Sequence, residues 1–372
     1  AAQLERLEGE AGPYASQLTQ PLMDLGLAYR SNGQAQEAIA FYKRAQHVLR
    51  INEGLDTPLQ IPLLTLMIDG HLALGNYKEA DRKQSVLYNL TLRIYQEQNP
   101  LRHIAAEQFA DWQRSAYLAE LGEKKFNRLL GIHNLYTNLT AAHASRTGKT
   151  DPSLVPLLYK QMQAEYLISR YDGEKKDEVQ INSPQLGGPG AERVRSEAKM
   201  QFLMLRRNNF RNGKKVLTRI LDIYENNPDT PASDIADEKI ALVDWHIWFG
   251  KPVIARHRYE EAFELLAASD DGATLIDESF GKPLELPTSS VFQPGRIAPR
   301  VKHKGEMLMR FSVTNYGEVR KIRTIVADPA MKETDAGRRT YKMLKSVRFR
   351  PRMEAGKVVS TDGLERKYYV SY

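Results

Sequence analysis

The sequence predicts an α-solenoid of paired helices over most of its 372 residues, followed by a small α+β module at the C-terminus. Three observations carry that prediction. Gly33 returns as Gly75, Ala38 as Ala80 and Pro58 as Pro100, each 42 residues on, which is the mark of a repeat array. Near the end the period changes to two: Met307, Met309, Phe311 and Val313 occupy alternate positions and share one side of a strand. Charge changes as well. From Arg296 onward 19 Lys and Arg stand against 8 Asp and Glu, so a net charge of +7 divides into a tail of +11 and a body of −4. That asymmetry points to two modules with different partners.

Composition narrows the class. Hydrophobic residues at 42% and charged residues at 27% suit an ordered chain able to bury a core. The length calls for two or more domains or a repeat array. No apolar run reaches the ~18 residues of a membrane helix; the best, from Ile61 to Ile68, meets Asp69 and His71. Cysteine is absent, which excludes disulfides, zinc–thiolate sites and thiol catalysis and suits an oxidising bacterial envelope compartment. The start, Ala1-Ala2-Gln3, has the form of an end left by leader cleavage or of a shortened chain.

Within the body the first repeat reads Leu25-Gly26, Tyr29, Gly33, Ala38, Tyr42, Ala45. Small residues at Gly26, Ala38 and Ala45 let two helices approach, and Tyr29 and Tyr42 fill the space between them. These seven positions resemble a tetratricopeptide repeat (TPR). A second copy carries Gly75 and Ala80, with His71, Gln84 and Leu87 where Tyr, an aromatic and Ala are expected. The 42-residue period resembles the extended repeats of kinesin light chain. Residues 1–100 thus hold two repeats, and 101–269 a series of degenerate pairs. Helices are predicted near 102–120, 124–146, 153–171, 191–211, 213–226, 235–250 and 258–268. The last pair keeps the spacing in Gly250 and Ala262, and a long polar loop interrupts at 172–190. Stacked helix pairs present a groove that suits protein or peptide partners.

Motifs for chemistry are absent. Gly148-Lys149-Thr150 ends like a phosphate loop, but His143 stands where that motif needs Gly. Gly187-Gly188-Pro189-Gly190 reads as a loop. The eight histidines are scattered without metal-ligand spacing, and His246, between Trp245 and Trp248, suggests helix packing. No catalytic residue, metal site or cofactor is expected.

Residues 270–304 read as a linker and 305–372 as the module. A strand from Gly305 to Val313, a turn at Asn315-Tyr316-Gly317 and a strand from Val319 to Val326 make a hairpin. Thr334 or Asp335 caps a helix to about Val347. A turn at Thr361-Asp362-Gly363 leads into a last strand, Glu365 to Tyr372. The order is strand, strand, helix, strand. Gly305, Phe311, Val313, Gly317, Val319, Phe349, Pro351 and Gly356, with Arg348-Phe349-Arg350-Pro351 the most specific run, resemble the C-terminal domain of the TonB family. That resemblance implies a periplasmic domain pairing edge to edge with an extended segment of an outer-membrane receptor. Independently of it, a final strand with nothing after it offers an edge to another peptide. Arg366, Lys367, Tyr368, Tyr369, Val370 and Tyr372 are its candidate binding residues.

The expectation is therefore a non-enzymatic periplasmic adaptor of a Gram-negative cell. The helix array would hold one protein partner, while the module binds a receptor-like peptide by strand addition. An energy transducer whose membrane anchor precedes the chain is the first alternative. Nucleic-acid binding by the basic tail is the second and is not expected, since charge alone is unspecific.

Overall fold

A computed structural model describes residues 2–121, 125–171, 173, 189–252, 257–288, 290–293, 295, 297, 304–329 and 335–371. The chain divides into two compact units, residues 1–135 with 294–299 and residues 136–293 with 300–372. Among the described residues no helix is long and apolar enough to cross a membrane.

The first unit is built from α1 (Ala2–Ala11), α2 (Thr19–Ser31), α3 (Ala35–Glu53), α4 (Gln60–Ala73), α5 (Tyr77–Ile94) and α6 (Pro100–Leu118), with the start of α7 (Lys125–Thr147). Tyr42 of α3 is fully buried and lies against both neighbouring helices. A Cβ on Gly26 of α2 would overlap its ring, and one on Gly70 of α4 would reach it at 3.9 Å. The small residue and the aromatic are therefore one device: the glycine makes room for the ring. Ala38, Ala45 and Ala80 are likewise fully buried. Leu25 and Tyr29 pack at the edge of the same core, with Tyr29 stacked on Phe41 at 5.1 Å.

The repeat is most exact in its turns. Gln34 N–H donates to Tyr29 O at 2.9 Å and Gly33 N–H to Arg30 O at 3.0 Å, with Gly33 left-handed at φ 79°. This pair of bonds closes a helix C-terminus by the Schellman arrangement. Asn76 to His71 and Gly75 to Leu72 reproduce it, as do Leu121 to Ala116 with Glu120 to Tyr117, and Lys251 to His246 with Gly250 to Ile247. The third copy places Glu120 at φ 58° where the others have glycine. At this third turn the glycine is lost while the bonds are kept.

The second unit contains the rest of α7, then α8 (Val155–Ser169), α9 (Pro189–Glu225), α10 (Ala232–Trp248), α11 (His257–Ala267) and α12 (Gly272–Phe280). The two helices expected at 191–211 and 213–226 are one. Gly213 does not break α9, because it lies under the Trp245 ring, where any Cβ would overlap the indole. His246 is buried edge-on to Phe210 at 5.0 Å. The loop expected at 172–190 lies outside the described residues except for Gly173 and for Pro189-Gly190, which open α9.

The stretch 270–304 is not a plain linker. It contains α12 and the short strand β1 (Leu284–Glu285); its residues 289, 294, 296, 298–300 and 301–303 lie outside the described ones. The module then runs β2 (Lys304–Val313), β3 (Val319–Ala327), α13 (Ala336–Ser346), β4 (Phe349–Arg350), β5 (Met353–Glu354), β6 (Lys357–Val358) and β7 (Thr361–Ser371). Its antiparallel sheet has the order β3-β2-β7. Met307, Met309, Phe311, Val313, Val319, Leu344, Phe349 and Tyr368 form its core with α13. Asp335 stands at the start of α13 without a side-chain cap bond, and Thr334 lies outside the described residues. The turn expected at 361–363 belongs to β7, where Gly363 at φ 72° accompanies a register shift opposite Phe311, a bulge and not a chain reversal.

The boundary expected at residue 305 does not separate two cores. Leu286, Met353 and Val358 are buried in one cluster with Ala236, Ile240, Val243, Ile247, Tyr259 and Phe280 of α10–α12. A two-residue turn at Ala355 and Gly356, both at positive φ, folds β5 onto β6 and sets Gly356 beside Phe263; such turns match the twist of a hairpin. β1 pairs with β4. In the run Arg348-Phe349-Arg350-Pro351, Phe349 faces the module core while Arg350 reaches the helices. Its Nη2 lies 2.7 Å from Asp244 Oδ2 with both side chains almost fully buried, and its Nη1 donates to Ser279 O at 3.1 Å. Tyr259 donates its hydroxyl to Asp244 Oδ1 at 2.6 Å. Burial first, and then the Asp244 charge, hold the Tyr259 hydroxyl well above its usual range.

Candidate functional site: the open edge of the sheet

β2 is the central strand, so β3 and β7 each show one unpaired side among the described residues. The outward groups of β7 follow from one bond. Asp328 N–H donates to Glu306 O at 3.1 Å, so Glu306 turns its backbone toward β3, and Gly305, Met307 and Met309 turn theirs toward β7. Their partners there are Val370, Tyr368 and Arg366. Alternation along the strand leaves the N–H and C=O of Glu365, Lys367 and Tyr369 directed at the open edge.

The candidate residues divide by parity. Tyr368 faces inward, where it is 9% exposed and donates its hydroxyl to Glu285 Oε2 at 3.2 Å; burial, then the Glu285 charge, push that hydroxyl up from its usual range. It is therefore a core residue, not a surface grip. Arg366 shares that side and meets Glu285 Oε2 at 2.9 Å. Lys367 and Tyr369 face outward. Lys367 pairs with Glu306 at 2.7 Å, a contact that holds its ammonium above the usual range. Tyr369 is 72% exposed. Val370 pairs with Gly305 through its backbone, and Tyr372 lies outside the described residues. Sequence reading missed Glu285, which anchors two side chains of the last strand from within the expected linker. No short-range signal marks it.

The turn bearing Gly317 is fixed from outside the sheet. Gly317 N–H donates to Thr314 O at 2.9 Å, while its own carbonyl accepts from Phe349 N–H at 2.9 Å. Any Cβ on Gly317 would overlap Phe349 O, and φ is 75°. Only glycine meets both demands.

In the first unit a cleft of about 390 Å³ opens between α5, α6 and α7, lined by Tyr88, Phe109, Ala110, Gln113, Arg128 and Ile132. Tyr88 and Phe109 stack at 4.3 Å, nearly parallel. Arg128 is held by Asp81 (Nη2–Oδ2 2.7 Å) and Gln113 (2.6 Å), and Trp112 donates to the same Asp81 at 2.7 Å. The cleft is thus apolar, with a fixed guanidinium at one wall.

No known protein family matches the chain, and no curated protein does. Two solved structures of a putative kinesin light chain with nearly identical TPR-like repeats from Podosopora anserina, one a single-substitution variant, are similar to it. Each is 14% identical over 71% of this chain, and 97% and 96% of those chains are covered, with a TM-score of 0.38 in both cases. That score is too low to establish a common fold, so the TPR-like character of the helix pairs rests on their repeated turns and glycine–aromatic packing.

Proposed function

We propose that this chain is a non-enzymatic interaction scaffold of the periplasm, whose module takes up an extended peptide along β7. The observation that carries the proposal is the outward set of backbone groups at Glu365, Lys367 and Tyr369, beside an exposed Tyr369. An incoming strand would satisfy those donors and acceptors, with specificity supplied by side chains at alternate positions. The resemblance to the TonB family, and to its receptor segments, supports this reading of the partner. The helical units would hold a second protein, and the cleft beside Tyr88 and Phe109 suits one apolar side chain of it.

The parity of β7 supplies the test. Lys367→Pro removes an outward N–H and leaves the ladder to β2 intact, whereas Tyr368→Pro removes an inward one. The full chain and Lys367→Pro are used to capture partners from envelope fractions, with circular dichroism and thermal melting as controls. The expected result is a partner retained by the wild type and lost by Lys367→Pro at an unchanged melting temperature. Equal recovery by both proteins would rule out strand addition at β7.

A further inference from the structure

Seven cations of the module are paired with carboxylates, while Arg323 and Lys357 on its strands stand exposed outside the ion pairs of the described residues, and α13 gathers three more such cations. Arg310, Arg320, Lys321, Arg350, Arg352, Arg366 and Lys367 each have a carboxylate within ion-pair distance. On α13, in contrast, Arg338, Lys342 and Lys345 are exposed, and the ion pairs among the described residues include none of them. The helix, AGRRTYKMLKS, contains no acidic residue. Ala336, Thr340 and Leu344 are its buried side. The opposite side carries Arg338, Tyr341, Lys342 and Lys345 at helical spacing, and Tyr341 is 47% exposed.

From this arrangement we infer that the outer face of α13 docks on the anionic headgroup surface of a phospholipid bilayer. The stripe runs along the outside of a helix, so it matches a flat field of phosphates better than a single buried one. Tyr341, beside these cations, has an apolar ring and a polar tip, which suits the headgroup layer of an interfacial helix. Leaving three cations unpaired costs little in water, and each gains when brought near an anionic surface. The edge at β7 is not part of this face, so the inference stands apart from strand addition.

The test is co-sedimentation of the full chain with vesicles of equimolar phosphatidylcholine and phosphatidylglycerol. Binding is expected to fall steeply with added salt and to be absent on phosphatidylcholine alone. The combined change Arg338→Gln, Lys342→Gln, Lys345→Gln should weaken binding on the order of a hundredfold, given the typical contribution of one cation near such a surface. Should the triple variant melt early, Lys342→Gln alone is expected to weaken binding about fivefold. Lys357→Gln, on the β5–β6 hairpin, serves as the control and should leave binding nearly unchanged. Equal binding to neutral vesicles, insensitivity to the α13 changes, or displacement from vesicles by duplex DNA of random sequence would each overturn the inference, the last in favour of nucleic acid.

Discussion

The first and last helix pairs close with the same turn and differ in what covers them. At Gly33 the turn stands in open surroundings, since a Cβ there would meet nothing within 4 Å, and the core beneath it is built from helices alone. At the last pair the cluster of α10 and α11 is completed by Leu286, just after β1, and by Met353 and Val358 of the β5–β6 hairpin. A helix array leaves an apolar face at its end that a cap must cover. Here the cap is the C-terminal module, fixed by Arg350 against Asp244 and against the carbonyl of Ser279. The difference teaches that a repeat's turn is specified locally, while the fate of its faces is specified by whatever follows.

The sharpest way to break that arrangement is Asp244→Ala, which strands a buried guanidinium. A loss of ~3–5 kcal/mol is expected in urea unfolding of the full chain, largely recovered when Arg350→Met is added. A loss under ~1 kcal/mol would mean that the ion pair does not join the cap to the helices. Next in size is the contrast between two glycines of similar φ. Gly317→Ala combines left-handed strain with overlap on Phe349 O and should cost about 2–4 kcal/mol. Gly33→Ala meets only the strain and should cost about 1–2 kcal/mol. Equal losses in thermal melts would show that the Gly317 contact is not tight.

Two buried groups, Glu238 in the second unit and His71 in the first, should answer pH in opposite senses. Burial raises the Glu238 carboxyl to about 8, with the Tyr159 hydroxyl opposing and Asp237 adding to the rise. Its folded form therefore holds a proton that the unfolded form releases, and stability from this group falls as pH climbs from about 4.5 toward 8. Glu238→Gln should remove that slope and raise the melting temperature at neutral pH. His71, in the first unit, is buried and its imidazole is held below the usual 6.5 by that burial. The unfolded form then binds the extra proton, so stability from His71 falls as pH drops through 6.5. Melts of Glu238→Gln and of His71→Gln beside the wild type, from acid to mild base, check the two signs. Least in effect is Arg93→Ala, which breaks an exposed pair with Asp56 and should change stability by less than ~1 kcal/mol. A larger loss would point to packing by its aliphatic stem.

What could be read in the sequence was what nearest neighbours decide. Gly33, Gly75 and Gly250 mark their turns because a left-handed residue favours glycine, and Gly317 marks the hairpin for the same reason. Glu120 was invisible, since the Schellman bonds tolerate a side chain at some cost. The continuity of α9 across residue 212 was not legible because the reason for Gly213, the Trp245 ring, lies 32 residues away. The strand that carries the candidate edge was legible, but its parity was not. Which of Lys367 and Tyr368 faces out depends on the register with β2, and that register is set by core contacts and not by the strand itself. Glu285 and β1 escaped notice because two residues of strand have no periodicity to detect.

The pairing of β1 with β4 has a bearing on how such a chain is inherited. Because Glu285, Asp244 and Ser279 all belong to the cap's own contacts, a recombination breakpoint just before residue 305 would separate the sheet from half of its support. A donor segment beginning ahead of α10 would travel with everything the sheet rests on. In any lineage that shuffled this module between proteins, the last helix pair is expected to have moved as its passenger.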